Sequence, residues 1–203
     1  MADVQGIQTT VTLRPGRPTD TSACGRICYE AFEAIARQHN FAPDFPSVDV
    51  ATGLITMLLS HPGFFSVVAE VGGQVVGSNF LDERSSIAAV GPITVDPKVQ
   101  NLRIGRRLMQ AVLDRAAERN FPGVRLLQSA YHSRSLALYA MLGFLPRESI
   151  ACMQESGTCR PAIKCGGPLR QTLKPAIASA RLSTVMTALG RRSMRSSWGR
   201  RPS

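Results

Sequence analysis

The sequence predicts an α+β fold, an α/β sandwich in which a mixed central sheet carries helices on both faces. Short β-branched runs alternate with longer stretches of 3.6-residue periodicity. Two of those runs are separated by Gly72-Gly73 alone, a two-residue hairpin signal. Turn residues punctuate the whole, giving the order β-α-α-β-β-β-α-β-α-β. A chain of 203 residues has room for one domain with a real core plus an appendage.

The elements follow in order. Val11-Thr12-Leu13-Arg14 alternates and reads as a first strand, ended by Pro15-Gly16. Thr19-Asp20-Thr21 can cap a helix whose apolar positions are Cys24, Ile27, Cys28, Phe32, Ile35 and Ala36. Asn40–Pro46 is a loop carrying Phe41 and Phe45, and Val48–Leu59 is a second helix stopped by His61-Pro62-Gly63. Phe64–Val71 and Gln74–Leu81 form the hairpin, and Ile87–Val95 continues the antiparallel meander. Gly91-Pro92 inside this last run is unusual, because proline cannot donate to a central ladder and glycine often marks a bulge. Ile104–Arg119 is the clearest helix. Beyond it come a strand at Val124–Ser129, a helix at Ser133–Leu142 and a strand at Arg147–Gln154.

The net charge of +10 resides in one place. After Glu155 there is no acidic residue, while ten of the 24 lysines and arginines lie there, leaving 14 basic and 14 acidic residues in 1–155. A neutral domain at 1–155 and a basic tail at 156–203 are expected, so specific nucleic-acid binding by the folded part is not. The tail is rich in Ser, Arg, Gly and Pro and reads as disordered, with a weak helical stretch near Ala176–Leu189. No apolar run approaches the roughly 20 residues of a membrane span, and Met1–Thr10 lacks the basic start and apolar centre of a signal peptide. Five cysteines without a Cys-x-x-Cys pair fit a reducing cytoplasm and buried thiols rather than a metal site.

The chemistry centres on the stretch after Ile87–Val95. A strand, a polar turn at Pro97–Gln100 and an arginine- and glycine-bearing helix start at Asn101–Arg107 form an arrangement suited to a pyrophosphate. First-turn amides lack helical acceptors, the helix dipole favours an anion, and Arg103, Arg106 and Arg107 add fork-shaped donors.

Gln100-Asn101-Leu102-Arg103-Ile104-Gly105 resembles the Q/R-x-x-G-x-G/A signature of the GNAT superfamily of acetyl-CoA-dependent N-acetyltransferases, with Arg103 at the usual first glycine. Leu136–Phe144, LALYAMLGF, is similar to the L-Y-x-x-x-G-F ending of the same family's next helix. The resemblance spans roughly residues 10–155 and implies the acyl-CoA N-acyltransferase fold, with acetyl-CoA as cosubstrate and no metal. By that resemblance the Ile87–Val95 strand splays from its neighbour. Backbone groups of Ile93, Thr94 and Val95 then align the pantetheine amides, and Gln100, Asn101, Leu102, Arg103, Ile104, Gly105 and Arg106 surround the pyrophosphate. Tyr139 matches the family tyrosine whose phenol lies near the CoA sulfur, and His132 stands where the family often has an asparagine contacting the cofactor arm, a place from which a ring nitrogen could contact the arm or act as a base.

An alkylammonium acceptor loses its proton at pH 7 at a cost of about 4 kcal/mol, so a base or a desolvating site is required. Asp82, Glu83, Glu30 and Glu33 are the nearest carboxylates by sequence, and each reads equally as a solvated surface charge. Arginine at position 103 costs on the order of 1 kcal/mol if the loop needs a positive φ there. No cysteine lies in the motifs, so direct attack in a ternary complex is expected, with a small-molecule or peptide amine as partner and a dimer as an admissible assembly. Two other readings stand beside this one. A non-catalytic acyl-CoA-binding module is suggested by Arg103 and the missing base, and a salt-sensitive contact with an anionic surface would run through the tail.

Overall fold

The computed structural model describes residues 10–154 and 179–189. The elements are β1 (Val11–Pro15), α1 (Thr21–Gln38), α2 (Val48–Ser60), β2 (Phe64–Val71), β3 (Gln74–Asp82), β4 (Ala88–Val90), β5 (Thr94–Val95), α3 (Ile104–Glu118), β6 (Gly123–Ser129), α4 (Ser133–Met141), β7 (Leu145–Gln154) and β8 (Ser179–Leu189). Short 3-10 turns occupy Pro18–Asp20 and Pro97–Leu102. The strands form one mixed sheet in the order β1-β2-β3-β4-β6-β8-β7, with β5 attached to β3. All pairings are antiparallel except β4 with β6.

Local chemistry accounts for the elements. Gly72 and Gly73 both take positive φ, 57° and 77°, as the tight β2–β3 turn requires. Ser47 caps α2 by accepting from the Val50 amide. Asp20 starts α1 but does not cap it. Its carboxylate instead accepts two hydrogen bonds from Arg14, at 2.7 and 2.8 Å, and one from the Arg17 amide. The charged fork of Arg14 outcompetes a neutral amide for those oxygens and holds the Asp20 carboxyl below its ordinary range.

Alternation along β2 divides two cores. Val67 and Ala69 belong to the larger one, with Leu108, Met109 and Val112 of α3. Val68 joins Phe80, Cys24, Cys28 and Ile55 under α1 and α2 on the opposite face. A mixed sheet with helices on both faces is what the element order predicted.

Two expectations are corrected. The run Ile87–Val95 is two strands, broken at Gly91–Ile93, because β4 and β5 pair with β3 in registers one residue apart and only β4 also pairs with β6. The helical stretch expected near Ala176–Leu189 is the strand β8. It fills the gap between β6 and β7, pairing with β6 from Gly123↔Leu189 to Ser129↔Ser183 and with β7 from Leu145↔Thr187 to Gln154↔Ser179. Two ladders of backbone hydrogen bonds, together with burial of Met186 and Ala188, outweigh a weak local helix tendency. A division of the chain at residue 155 therefore does not coincide with the edge of the sheet. The remaining tail positions, 155–178 and 190–203, lie outside the described residues.

Candidate active site

The site is organised by a parting of strands. β4 pairs with β6 at Ala88↔Val124 and Ala89↔Arg125, and the parallel pairing ends there. After Val90 the chain stays with β3: the Gly91 amide donates to the Phe80 carbonyl at 2.9 Å, and Thr94 and Val95 pair with Ser78 and Gly77. A β-carbon on Gly91 would lie 2.9 Å from the Phe80 Cβ, so the close approach requires glycine. Among the described residues β5 has β3 as its one strand partner, which leaves its other backbone edge open toward β6. The Thr94 hydroxyl is 3.4 Å from the Ser78 hydroxyl, and Ile93 and Val95 pack on the core. These three residues thus face the wedge with main chain rather than side chain.

At the foot of the wedge lies the start of α3. Asp96 caps the preceding turn by accepting from the Lys98 amide. Gln100 and Asn101 lie in the 3-10 turn, and Leu102 ends it half exposed. Arg103 adopts φ 56°, ψ 18°, the left-handed conformation, and its side chain does not cap the helix. The first helical ring closes from the Arg107 amide to the Arg103 carbonyl, so the amides of the first turn have no acceptor within the helix. That turn holds no acidic residue, and Arg103 and Arg106 are exposed beside it. Ile104 is fully buried and contributes to this end through its amide alone. A β-carbon on Gly105 would meet Leu138 at 3.7 Å and Val95 at 3.9 Å, ordinary contacts, so packing does not demand glycine here. Glycine in a helix costs about 1 kcal/mol relative to alanine, and what it provides at Gly105 is bare backbone at an anion-attracting terminus. These residues fit a pyrophosphate. Arg107 does not join them, because its guanidinium donates to the Val11 carbonyl at 2.6 Å.

The third side is α4. Leu138 touches the Gly105 position, which sets α4 against the start of α3. The next residue, Tyr139, is 6% exposed, with its ring 6.0 Å from that of Phe144. Burial pushes its phenol up to about 12, partly offset by a hydrogen bond with Ser135, so the hydroxyl keeps its proton. His132 is the residue before α4, and its Nδ1 lies 2.9 Å from Ser135 Oγ. Burial lowers its pKa first, then His39 and Arg134, so the neutral ring is favoured.

The four carboxylates are all engaged. Glu83 accepts from Arg115 at 2.6 and 3.2 Å on the α3 side, and Asp82 from Arg84 at 2.7 and 2.8 Å. Glu30 pairs with Arg26 at 2.8 Å, and Glu33 with Arg37 at 2.7 Å. Glu33 and Arg37 line a cavity of about 300 Å³ with Asn40, Phe41 and Pro43 at the end of α1. Near that loop Tyr131 stacks on Phe41 at 4.5 Å and lies 5.0 Å from the His39 ring. Sequence reading passed over Tyr131 and Gln128. The available signal was Gln128 itself, a polar residue at an inward position of the alternating Val124-Leu126-Gln128 set. Cys24 and Cys28 are fully buried, with thiols pushed up to about 11 and 12 by desolvation, which makes them poor nucleophiles. Among the described residues no helix is long and apolar enough to cross a membrane, and no group of three metal-ligating side chains is gathered.

Comparisons with known proteins agree with this fold. The acetyltransferase (GNAT) family pattern matches residues 25–144. No curated protein matches the chain in sequence. Three similar solved structures illustrate the fold. The ribosomal-protein-S18-alanine N-acetyltransferase from Escherichia coli is 17% identical with a TM-score of 0.59, covering 89% of this chain and 94% of that one. PaiA N-acetyltransferase from Thermoplasma acidophilum, solved with coenzyme A, is 11% identical with a TM-score of 0.61, covering 89% and 99%. The ribosomal-protein-alanine N-acetyltransferase from Brucella melitensis is 18% identical with a TM-score of 0.62, covering 88% and 99%. At such identities the likeness speaks for the fold, and the sequence match over more than half the chain speaks for the family. A split strand, an uncapped helix start and a buried tyrosine beside it thus occur in a chain that belongs to the acetyltransferase (GNAT) family.

Proposed function

We propose that the chain transfers an acetyl group from acetyl-CoA to a primary amine, by direct attack of the amine within a ternary complex. The observation that carries this reading is the wedge between β4–β5 and β6, which opens onto the uncapped, arginine-flanked start of α3. The open edge at Ile93, Thr94 and Val95 would take the amides of the pantetheine arm. The first-turn amides from Leu102 to Arg106, with the exposed arginines, would take the pyrophosphate, and His132 would contact the arm through a ring nitrogen. A pocket beyond the C-terminal end of α1, near Phe41, is the proposed acceptor entrance. The folded domain in this reading comprises 10–154 together with β8.

Acetyl-CoA supplies a thioester. The amine nitrogen forms a bond to its carbonyl carbon, the carbon–sulfur bond breaks, and the nitrogen releases a proton to water. Tyr139 then hydrogen-bonds the departing sulfur through its hydroxyl, and the thiolate ends as a thiol by taking up the proton that the amine released to water. A thiolate, whose conjugate acid is ordinarily near 8.5, is a weaker base than the phenolate of a phenol pushed up to about 12, so Tyr139 acts by a hydrogen bond that strengthens as charge builds on sulfur. With the four carboxylates ion-paired, amine deprotonation falls to desolvation and water.

Those ion pairs and the strained Arg103 favour one second reading, an acyl-CoA-binding module without turnover. Calorimetric titration of the full chain with acetyl-CoA, followed by thiol release across a panel of amines, separates the two. Binding with release is expected. Binding without release on every amine supports the module, and no binding overturns both.

A further inference from the structure

Among the described residues, three buried side-chain atoms lack a hydrogen-bond partner: Oε1 and Nε2 of Gln128 and the hydroxyl of Tyr131. They fall within four residues of chain, at the end of β6 and the loop after it. Gln128 is 7% exposed, so both ends of its amide are withdrawn from water and from protein partners alike. Such a group destabilises the free chain, and any apolar residue of similar size would remove the penalty. A partner that arrives and pairs both ends would remove that penalty.

Its position says which. Alternation puts Gln128 on the face of β6 that holds Val124 and Leu126, in the core shared with Tyr139 and Phe144, while Leu127 points the other way at 57% exposure. The parallel register Ala88↔Val124, Ala89↔Arg125, carried three residues further, sets Gln128 level with Pro92, where β4 has ended and the wedge is open. A primary amide presents an acceptor and donors side by side. A thioester carbonyl or a phosphate offers acceptors alone, and an ammonium offers donors alone. A secondary amide offers one of each, and the pantetheine arm of acyl-CoA carries two.

We infer that the Gln128 side chain is a binding residue for the pantetheine arm on the Tyr139 side of the wedge, its Nε2–H donating to the carbonyl of one arm amide and its Oε1 accepting from the N–H of the other. This rests on the acyl-CoA reading above. The test uses the full chain and its Gln128→Leu variant, with Gln128→Met as a second apolar replacement of matching length. Coenzyme A and adenosine 3′-phosphate 5′-diphosphate, which has the phosphates but no arm, are titrated calorimetrically, and unliganded thermal unfolding is measured alongside. The variants should unfold at the same or a higher temperature, bind the nucleotide as the wild type does, and lose roughly tenfold in coenzyme A affinity. Unchanged coenzyme A affinity in both variants overturns the inference and leaves the acyl-CoA reading standing. Equal weakening toward both ligands with a lowered unfolding temperature assigns Gln128 a structural role and also overturns it. A wild-type chain that binds neither ligand overturns the acyl-CoA reading itself.

Discussion

Arg107 donates a 2.6 Å hydrogen bond to the carbonyl of Val11, joining the first turn of α3 to the first strand across 96 positions of sequence. The guanidinium that sequence assigned to phosphate is thus spent on the frame that holds the turn proposed to bind it. Arg107→Ala leaves the Val11 carbonyl with one donor fewer. It should cost about 1–2 kcal/mol in urea unfolding, while acetyl-CoA affinity measured well below the transition stays at the wild-type value. A tenfold loss of affinity without loss of stability would return Arg107 to the phosphate site.

Arg103 sits at φ 56°, where a β-carbon crowds the following carbonyl. The usual helix-propensity order should invert there. Arg103→Gly should be more stable than Arg103→Ala by about 1 kcal/mol, or roughly 2–4 °C in unfolding midpoint. Equal midpoints, or a more stable alanine variant, would mean that the turn relaxes out of the left-handed region.

Tyr139→Phe keeps the buried ring beside Phe144 and removes the hydroxyl alone. Turnover should fall by roughly 100-fold with acetyl-CoA affinity unchanged, the mark of an interaction made only as the bond breaks. Because the phenol is pushed up to about 12, the wild-type rate should rise as the amine acceptor deprotonates and show no falling limb up to pH 10. A variant with wild-type turnover would remove Tyr139 from the chemistry.

His132 titrates below its ordinary value because burial, then His39 and Arg134, disfavour the imidazolium. The unfolded ring therefore binds a proton at a higher pH than the folded one. This contribution to stability is present above the unfolded pKa of about 6.5 and is lost as pH falls through it. Between pH 7.5 and 5.5 the unfolding midpoint of wild type should drop by more than that of His132→Asn, which cannot charge. Parallel drops in the two proteins would contradict the assignment.

Much of the fold was legible because it rests on local rules. Gly72-Gly73 declares a hairpin through its positive φ values, Ser47 a helix start, and the Ile104, Leu108, Val112 and Ala116 spacing a helix face turned to the core. The geometry of the candidate site was legible where it depends on backbone at element ends, as at Gly91 and the start of α3. Other features escaped because their energy comes from distant partners. Arg107 and Asp20 are committed to Val11 and Arg14 by charged hydrogen bonds that outcompete nearer options.

By itself the sequence determined the order of elements up to β7 apart from the break between β4 and β5, the neutral balance of 1–155 and the two motifs of α3 and α4, since periodicity, turn chemistry and charge are properties of neighbouring residues. Tertiary structure alone decided that Ser179–Leu189 is a strand between β6 and β7, and that both ends of the Gln128 amide are buried without partners. The reason is physical. A strand draws its hydrogen bonds from other strands, and a buried polar group is defined by everything packed around it, so neither is written in the residues adjacent to it.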